Sequence, residues 1–330
     1  MSAREESCAA PAAASPSGVL VVDKPAGPTS FDVVARVRRA LGVRKAGHAG
    51  TLDPAATGVL AVCLGDAVRL QQFLVDGDKA YEATVCFGAA TDTQDAEGKV
   101  VAEGDPAGLT AEGVAAALLG FVGEIDQVPP MYSAVRVAGR RLHEAARAGE
   151  EVERAPRRVR VDGLELRGLE PAVNGRRLAR VSVRCGKGTY VRTLAADLGR
   201  TLGVPAHLAA LRRTVASGFT LAQAVPLEEL ERLASARAPA LLGRIVSLAE
   251  ALATMPGASL TAAQVVDLAH GRPVVLPAPL PTAATRPGAP VHVKALDGGG
   301  RLVAVCTADG ATLRPVRVLV TSAEAAQAGS

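Results

Sequence analysis

A lone carboxylate in a loop of small residues is where this chain could most readily do chemistry. The stretch His48-Ala49-Gly50-Thr51-Leu52-Asp53-Pro54-Ala55-Ala56-Thr57-Gly58 holds one acid, Asp53. The proline after it disfavours the α region at Asp53, so the aspartate is expected on an extended, loop-presented segment. Gly50 and Gly58 allow tight turns and close approach by a bulky ligand. The apolar run Val59 to Leu64 then reads as a buried strand leaving the loop. A carboxylate presented in this way is a candidate catalytic group. The same residues also make an ordinary Asp-Pro turn between two elements.

The elements that must position this loop follow from local pattern. Val19 to Val22 reads as a short buried strand running into Lys24-Pro25-Ala26-Gly27-Pro28-Thr29-Ser30. Ser30 is expected to cap the next helix, with Asp32 in its first turn, Val34, Val37 and Leu41 inward, and Gly42 ending it. Asp66 to Leu74 predicts a short helix, Gly88 to Gly98 a polar loop, and Thr110 to Leu119 another helix. Alternation places Tyr81, Ala83, Val85 and Phe87 on one face of a strand. Further on, Arg180 to Cys185, a glycine turn and Thr189 predict a strand followed by a helix. Thr189 is the expected cap, and Val191, Leu194, Leu198 and Leu202 form the apolar stripe. Arg192 stands out there, because a cation in a first turn opposes the helix dipole and calls for a carboxylate partner.

Composition bounds the function. The chain has 330 residues, 48% of them apolar, enough for about two domains and a real core. It lacks the roughly 18-residue apolar run of a membrane span. The net charge of +4 is small but unevenly placed. Arg176 to Arg213 carries nine Lys/Arg against one acid, Arg136 to Arg160 eight Arg against four Glu, and Arg36 to Lys45 five more cations. Such blocks suit either a polyanionic partner or solvated helix faces. The five cysteines are scattered without a C-x-x-C pair, which argues against a zinc site or disulfide framework and fits a reduced cytoplasm. The five histidines lack metal-ligand spacing, and no P-loop is present, so no metal or cofactor is implied. Residues 1–17 read as a disordered tail without the long apolar core of a secretory signal.

The segment Gly47 to Leu60 resembles the signature loop of the TruB family, the tRNA pseudouridine-55 synthases. Lys24 to Ser30 resembles that family's opening motif, Gly188-Thr189-Tyr190-Val191-Arg192-Thr193 its second catalytic motif, and Leu211-Arg212-Arg213 a third. The resemblance covers residues 18 to about 320, with the motifs in family order. It implies an α+β pseudouridine synthase fold around a mixed, largely antiparallel sheet over residues 18–256, with an RNA-gripping insertion at about 127–160. A PUA-like small β-barrel is expected over 257–330, assisting binding without carrying chemistry. By the same resemblance Asp53 is the catalytic nucleophile, Arg192 its ion-pair partner and Tyr81 the ring that stacks on the target base. Lys24, His48, Tyr190, Leu211, Arg140 and Arg141 are expected on the substrate and RNA side. The implied substrate is the T-stem-loop of tRNA, handled without an obligatory protein partner or guide RNA. His143 departs from the family pattern, where tyrosine is expected. The alternative from another class is a tRNA-binding folding factor that acts independently of catalysis; an intact Asp53, Tyr81 and Arg192 set favours the enzyme.

Overall fold

The computed structural model describes residues 16–133, 136–137, 140–141, 150, 152–235, 239–280 and 291–327. Residues 1–15, His143 and most of the basic insertion lie outside these segments. The central mixed sheet runs Val225–Pro226, Gly18–Lys24, Thr57–Leu64, Ala206–Ala216, Lys79–Phe87, Arg177–Cys185, Arg157–Leu169, Gly123–Gln127. Two joins along that path are parallel, Val225–Pro226 with Gly18–Lys24 and Thr57–Leu64 with Ala206–Ala216; the rest are antiparallel.

Two kinds of strand build this sheet, and their sequences differ for a physical reason. Gly18–Lys24 and Thr57–Leu64 are apolar almost throughout because both of their faces are covered. Val19, Val21, Val59, Ala61 and Cys63 enter one apolar cluster, while Leu20, Val22, Leu60, Val62 and Leu64 enter another. Lys79–Phe87 instead sends Tyr81, Ala83, Val85 and Phe87 into a third cluster. There they meet Val191, Leu194, Ala195 and Leu198 of the helix Val191–Thr201. Each such Val or Leu, fully buried, contributes roughly 1.5–3 kcal/mol.

Four local expectations are corrected. Thr29, not Ser30, caps the helix Ser30–Leu41, closing a capping box with Asp32. The Ser30 hydroxyl is buried and occupied elsewhere, donating to the Leu52 carbonyl and accepting from the Leu52 amide. The expected helix at Asp66 to Leu74 is a 3-10 turn, Gly65–Leu70, followed by the short helix Gln71–Val75. The polar loop 88–98 contributes Ala89–Thr91 to a hairpin with Val100–Glu103. Thr189 does not cap its helix, because its hydroxyl turns to the Arg160 carbonyl. The buried Gln127 side chain holds the helix entry instead, accepting from the Tyr190 amide and donating to the Tyr190 carbonyl.

Beyond Pro256 a five-stranded sheet runs Gly257–Ser259, Val291–Leu296, Leu302–Asp309, Thr312–Val318, Val274–Val275. It is packed against the first sheet and not merely tethered to it. Leu302, Val305 and Leu319 share an apolar cluster with Val19, Cys63, Leu70 and Leu252. Phe73 meets His292 edge-on at 5.1 Å, and the Lys294 ammonium donates to the Ala249 carbonyl at 3.3 Å. A chain ending at Pro256 would bare that cluster, at a cost on the order of several kcal/mol. We expect it to melt well below the full chain and to bind an apolar dye. An unchanged melting temperature would mean that the shared cluster contributes nothing.

Candidate active site

Asp53 sits where four segments converge, and the loop that carries it is held almost entirely by side chains gripping its backbone. The wholly buried Lys24 ammonium donates to the carbonyls of Pro25 at 3.0 Å, Pro54 at 2.8 Å and Ala56 at 2.7 Å. The equally buried Arg213 guanidinium donates to the carbonyls of Gly50 at 3.0 Å, Thr51 at 3.2 Å and Val59 at 2.7 Å. Ser30 takes both polar groups of Leu52, and the Asp53 carbonyl accepts from the Ala56 amide at 3.1 Å. A loop that left these carbonyls unmet in a dry interior would lose about 1–3 kcal/mol for each.

Lys24, expected on the substrate and RNA side, is buried, and its ammonium is engaged by the loop carbonyls. Burial lowers its pKa to about 8, the nearby Asp53 charge opposing that shift. The ammonium form still predominates at neutral pH. Arg213, in sequence only one member of a motif, is a structural centre of the site. It lies opposite Tyr81 in the antiparallel register. One glycine is required for this packing. Gly58 has φ +102°, and a Cβ there would come within 2.1 Å of the Arg213 carbonyl oxygen. The parallel join Arg213 to Gly58 closes only because no side chain intervenes.

The Asp53 carboxylate emerges from this clamp with 43% of its side-chain surface open, its Oδ2 3.1 Å from the Nε of Arg192. Arg192 itself is buried, and every edge of its guanidinium is used. Nη1 donates to Asp95 Oδ2 at 3.1 Å and to the Thr93 carbonyl at 3.2 Å, and Nη2 to the Tyr132 carbonyl at 2.8 Å. Two carboxylates thus answer the unfavourable position of this cation at a helix start. Asp95 is the site residue that sequence reading misses. It lies in a polar run with Asp92, Thr93 and Gln94, where nothing local separates one aspartate from the other. Burial raises the Asp53 pKa above its ordinary value; Arg192 pulls it down, Asp95 pushes it up, and Lys24 pulls it down. A group that must be ionised to act then gives an acid limb above the ordinary aspartate value of 3.8. We expect the pH profile of kcat/KM to show that limb, and Asp95→Asn to move it to lower pH as the repelling charge is removed. A limb that stays put in Asp95→Asn would uncouple the two carboxylates.

The remaining expected residues fall at different distances from the chemistry. Tyr81 and Leu211 pack together at the meeting of two apolar clusters, on neighbouring strands beside the Asp53 loop. His48 ends the short strand Ala46–His48; its carbonyl accepts from Gln71, and its buried Nδ1 has no hydrogen-bond partner. Burial first, then Arg213, lowers its pKa, so the ring is neutral at neutral pH. Tyr190 is the half-buried residue at the start of the Arg192 helix. Arg140 and Arg141 form a two-residue strand paired with Arg136–Val137, and their side chains lie outside the described atoms. Among the described residues, no group of three or more His, Cys, Asp or Glu could hold a metal. No helix among them is long and apolar enough to cross a membrane.

Comparison with solved structures defines the class. The chain superposes with TM-score 0.72 and 25% identity on a chain of a Cbf5-Nop10-Gar1 complex, over 93% of this chain and 86% of that one. It matches a chain of an H/ACA ribonucleoprotein bound to a substrate RNA containing 2′-deoxyuridine with TM-score 0.70 and 25% identity, over 92% and 86%. The fold is that of the pseudouridine synthases, α+β with a mixed sheet, followed by a PUA-like five-stranded sheet. Residues 38–191 match the N-terminal domain of the TruB family pseudouridylate synthases, and 192–253 the C-terminal domain of tRNA pseudouridylate synthase B. A protein of Symbiobacterium thermophilum named tRNA pseudouridine synthase B is 53% identical over 79% of this chain and 84% of its own length. One of the same name from Ralstonia pickettii is 44% identical over 92% and 94%. This chain belongs to the TruB family.

Proposed function

We propose that this pseudouridine synthase acts on tRNA, converting uridine-55 of the T-loop to pseudouridine with Asp53 as nucleophile. The observation that carries the reading is the open Asp53 carboxylate, ion-paired to buried Arg192 in a loop clamped by Lys24, Ser30 and Arg213. Isomerisation breaks the N1–C1′ bond, turns the base and joins C5 to C1′; no electrons or external groups enter. The target base lies inside a structured loop, so it must be flipped out to reach Asp53. There Tyr81 stacks on the uracil, Leu211 backs that ring, and Arg192 orients the carboxylate. His48, neutral and beside the loop, contacts the remodelled RNA. The higher identity to the synthase B relatives than to the ribonucleoprotein chains supports action without a guide RNA.

The reading is tested with tRNA carrying tritium at uridine C5, because forming the C5–C1′ bond expels that hydrogen to water. Release should vanish when position 55 is replaced by cytidine. Release that persists would move the target position, and no release from any tRNA would overturn the activity.

The insertion should grip phosphates. Replacing Arg140 and Arg141 together with alanine is expected to weaken tRNA binding. The salt dependence should flatten by about 0.7–0.9 log units for each phosphate no longer neutralised. An unchanged slope would remove this segment from the RNA interface.

A further inference from the structure

Of the five phenylalanines and three tyrosines in the chain, all within described segments, Phe31 alone is exposed, at 74%. Single exposed apolar side chains are ordinary on protein surfaces. The surroundings of Phe31 are not ordinary. It is the second residue of the helix Ser30–Leu41, directly after the serine whose hydroxyl binds both backbone groups of Leu52. Its ring meets His48 edge-on, centroids 5.0 Å apart and planes at 77°. With so much of the ring exposed, that contact leaves an aromatic face open beside the Asp53 loop.

The same helix carries charge away from this ring. Helical spacing puts Phe31, Ala35 and Arg38 on one stripe, and Arg38, Arg39, Arg44 and Lys45 are all exposed. None of the four forms an ion pair among the described residues, whereas Arg36, on another face, pairs with Glu231. Arg38 lies seven residues beyond Phe31, roughly 10 Å along the helix. An open ring followed by unpaired cations is the arrangement that holds nucleic acid, bases on the aromatic face and phosphates on the cations. Each nucleotide carries both a base and a phosphate and so meets both features, whereas a protein partner would need an apolar and an acidic group set at that same spacing.

We infer that Phe31 is a stacking platform for a nucleobase next to the flipped-out target, with Arg38 and Arg39 receiving the adjoining phosphates. This rests on the RNA-modifying reading above. Flipping a base leaves its neighbours with uncovered faces. A ring fixed beside the Asp53 loop covers one of them. Phe31 is accordingly a positioning and affinity residue, not a catalytic one.

The experiment uses the full chain and an isolated T-arm stem-loop RNA. Phe31→Ala and Phe31→Leu should each raise Kd and KM about 5- to 150-fold. The kcat for tritium release and the salt slope should hold, since stacking releases no counterions. Phe31→Tyr should behave like the parent. A 2-aminopurine placed in the loop beside the target should be quenched on binding by the parent and less so by Phe31→Leu. Melting curves check that all variants fold, as an exposed ring contributes little to stability. Kd within twofold of the parent in Phe31→Ala overturns the proposal. So does full affinity in Phe31→Leu, which would make the contact plain apolar packing. If the parent binds the RNA but releases no tritium, the activity reading fails while the binding comparison still decides the role of Phe31.

Discussion

Asp53→Asn is expected to abolish tritium release from uridine C5 while leaving RNA binding nearly intact. The substitution keeps the size of the side chain and removes the anion that would attack. Loss of a covalent nucleophile costs on the order of 10⁴-fold or more in kcat. Affinity should survive, because it comes chiefly from phosphate contacts and stacked bases, neither of which uses this carboxylate. The loop should also survive. Its geometry is fixed by Lys24, Ser30 and Arg213 through backbone carbonyls and not through the Asp53 side chain. Normal release by Asp53→Asn would refute the nucleophile assignment. Loss of binding and release together, in a folded protein, would make Asp53 structural. Full RNA remodelling by this inactive variant would give weight to the folding-factor alternative as a second, separable activity.

Arg192→Lys should lose about 10²–10³-fold in kcat with a smaller change in KM. The charge is conserved, so a purely coulombic partner would be rescued by it. Geometry is what fails. Three guanidinium nitrogens point to Asp53, to Asp95 and Thr93, and to Tyr132. A lysine ammonium has all its donors on one atom and cannot span those directions. Left with fewer bonds, the largely covered carboxylate of Asp95 and the carbonyl of Tyr132 also lower stability, so the melting temperature should fall as well. If Arg192→Lys keeps kcat within tenfold of the parent, positioning by the planar fork is not what Arg192 contributes.

The sequence by itself determined the Asp53 loop, the strands that flank it and the order of the motifs. Asp53 was legible because a proline, two glycines and a following apolar run act on their immediate neighbours. The face shared by Tyr81, Ala83, Val85 and Phe87 was legible because strand alternation is a local property. Arg192 could be singled out because the helix dipole makes a cation at its start anomalous, which calls for an acid without saying how many.

What only the tertiary structure decided is who meets whom across long stretches of chain. Asp95 joins Arg192 across 97 residues and Arg213 reaches Gly50 across 163. Neither contact leaves a periodic trace in the sequence. Lys24 shows the limit most clearly. A lysine is usually solvated, so its sequence suggests a surface cation. Yet three carbonyls at the loop supply what water would have supplied, and burial becomes tolerable. Ser30 is drawn from the cap position by the same demand, since Leu52 has buried polar groups to satisfy and Thr29 can serve as cap. The packing of Leu302, Val305 and Leu319 onto Val19 and Cys63 likewise joins two sheets that composition reads as separate units. Apolar strand faces record that they are covered, but not by which part of the chain, because the hydrophobic effect has no direction.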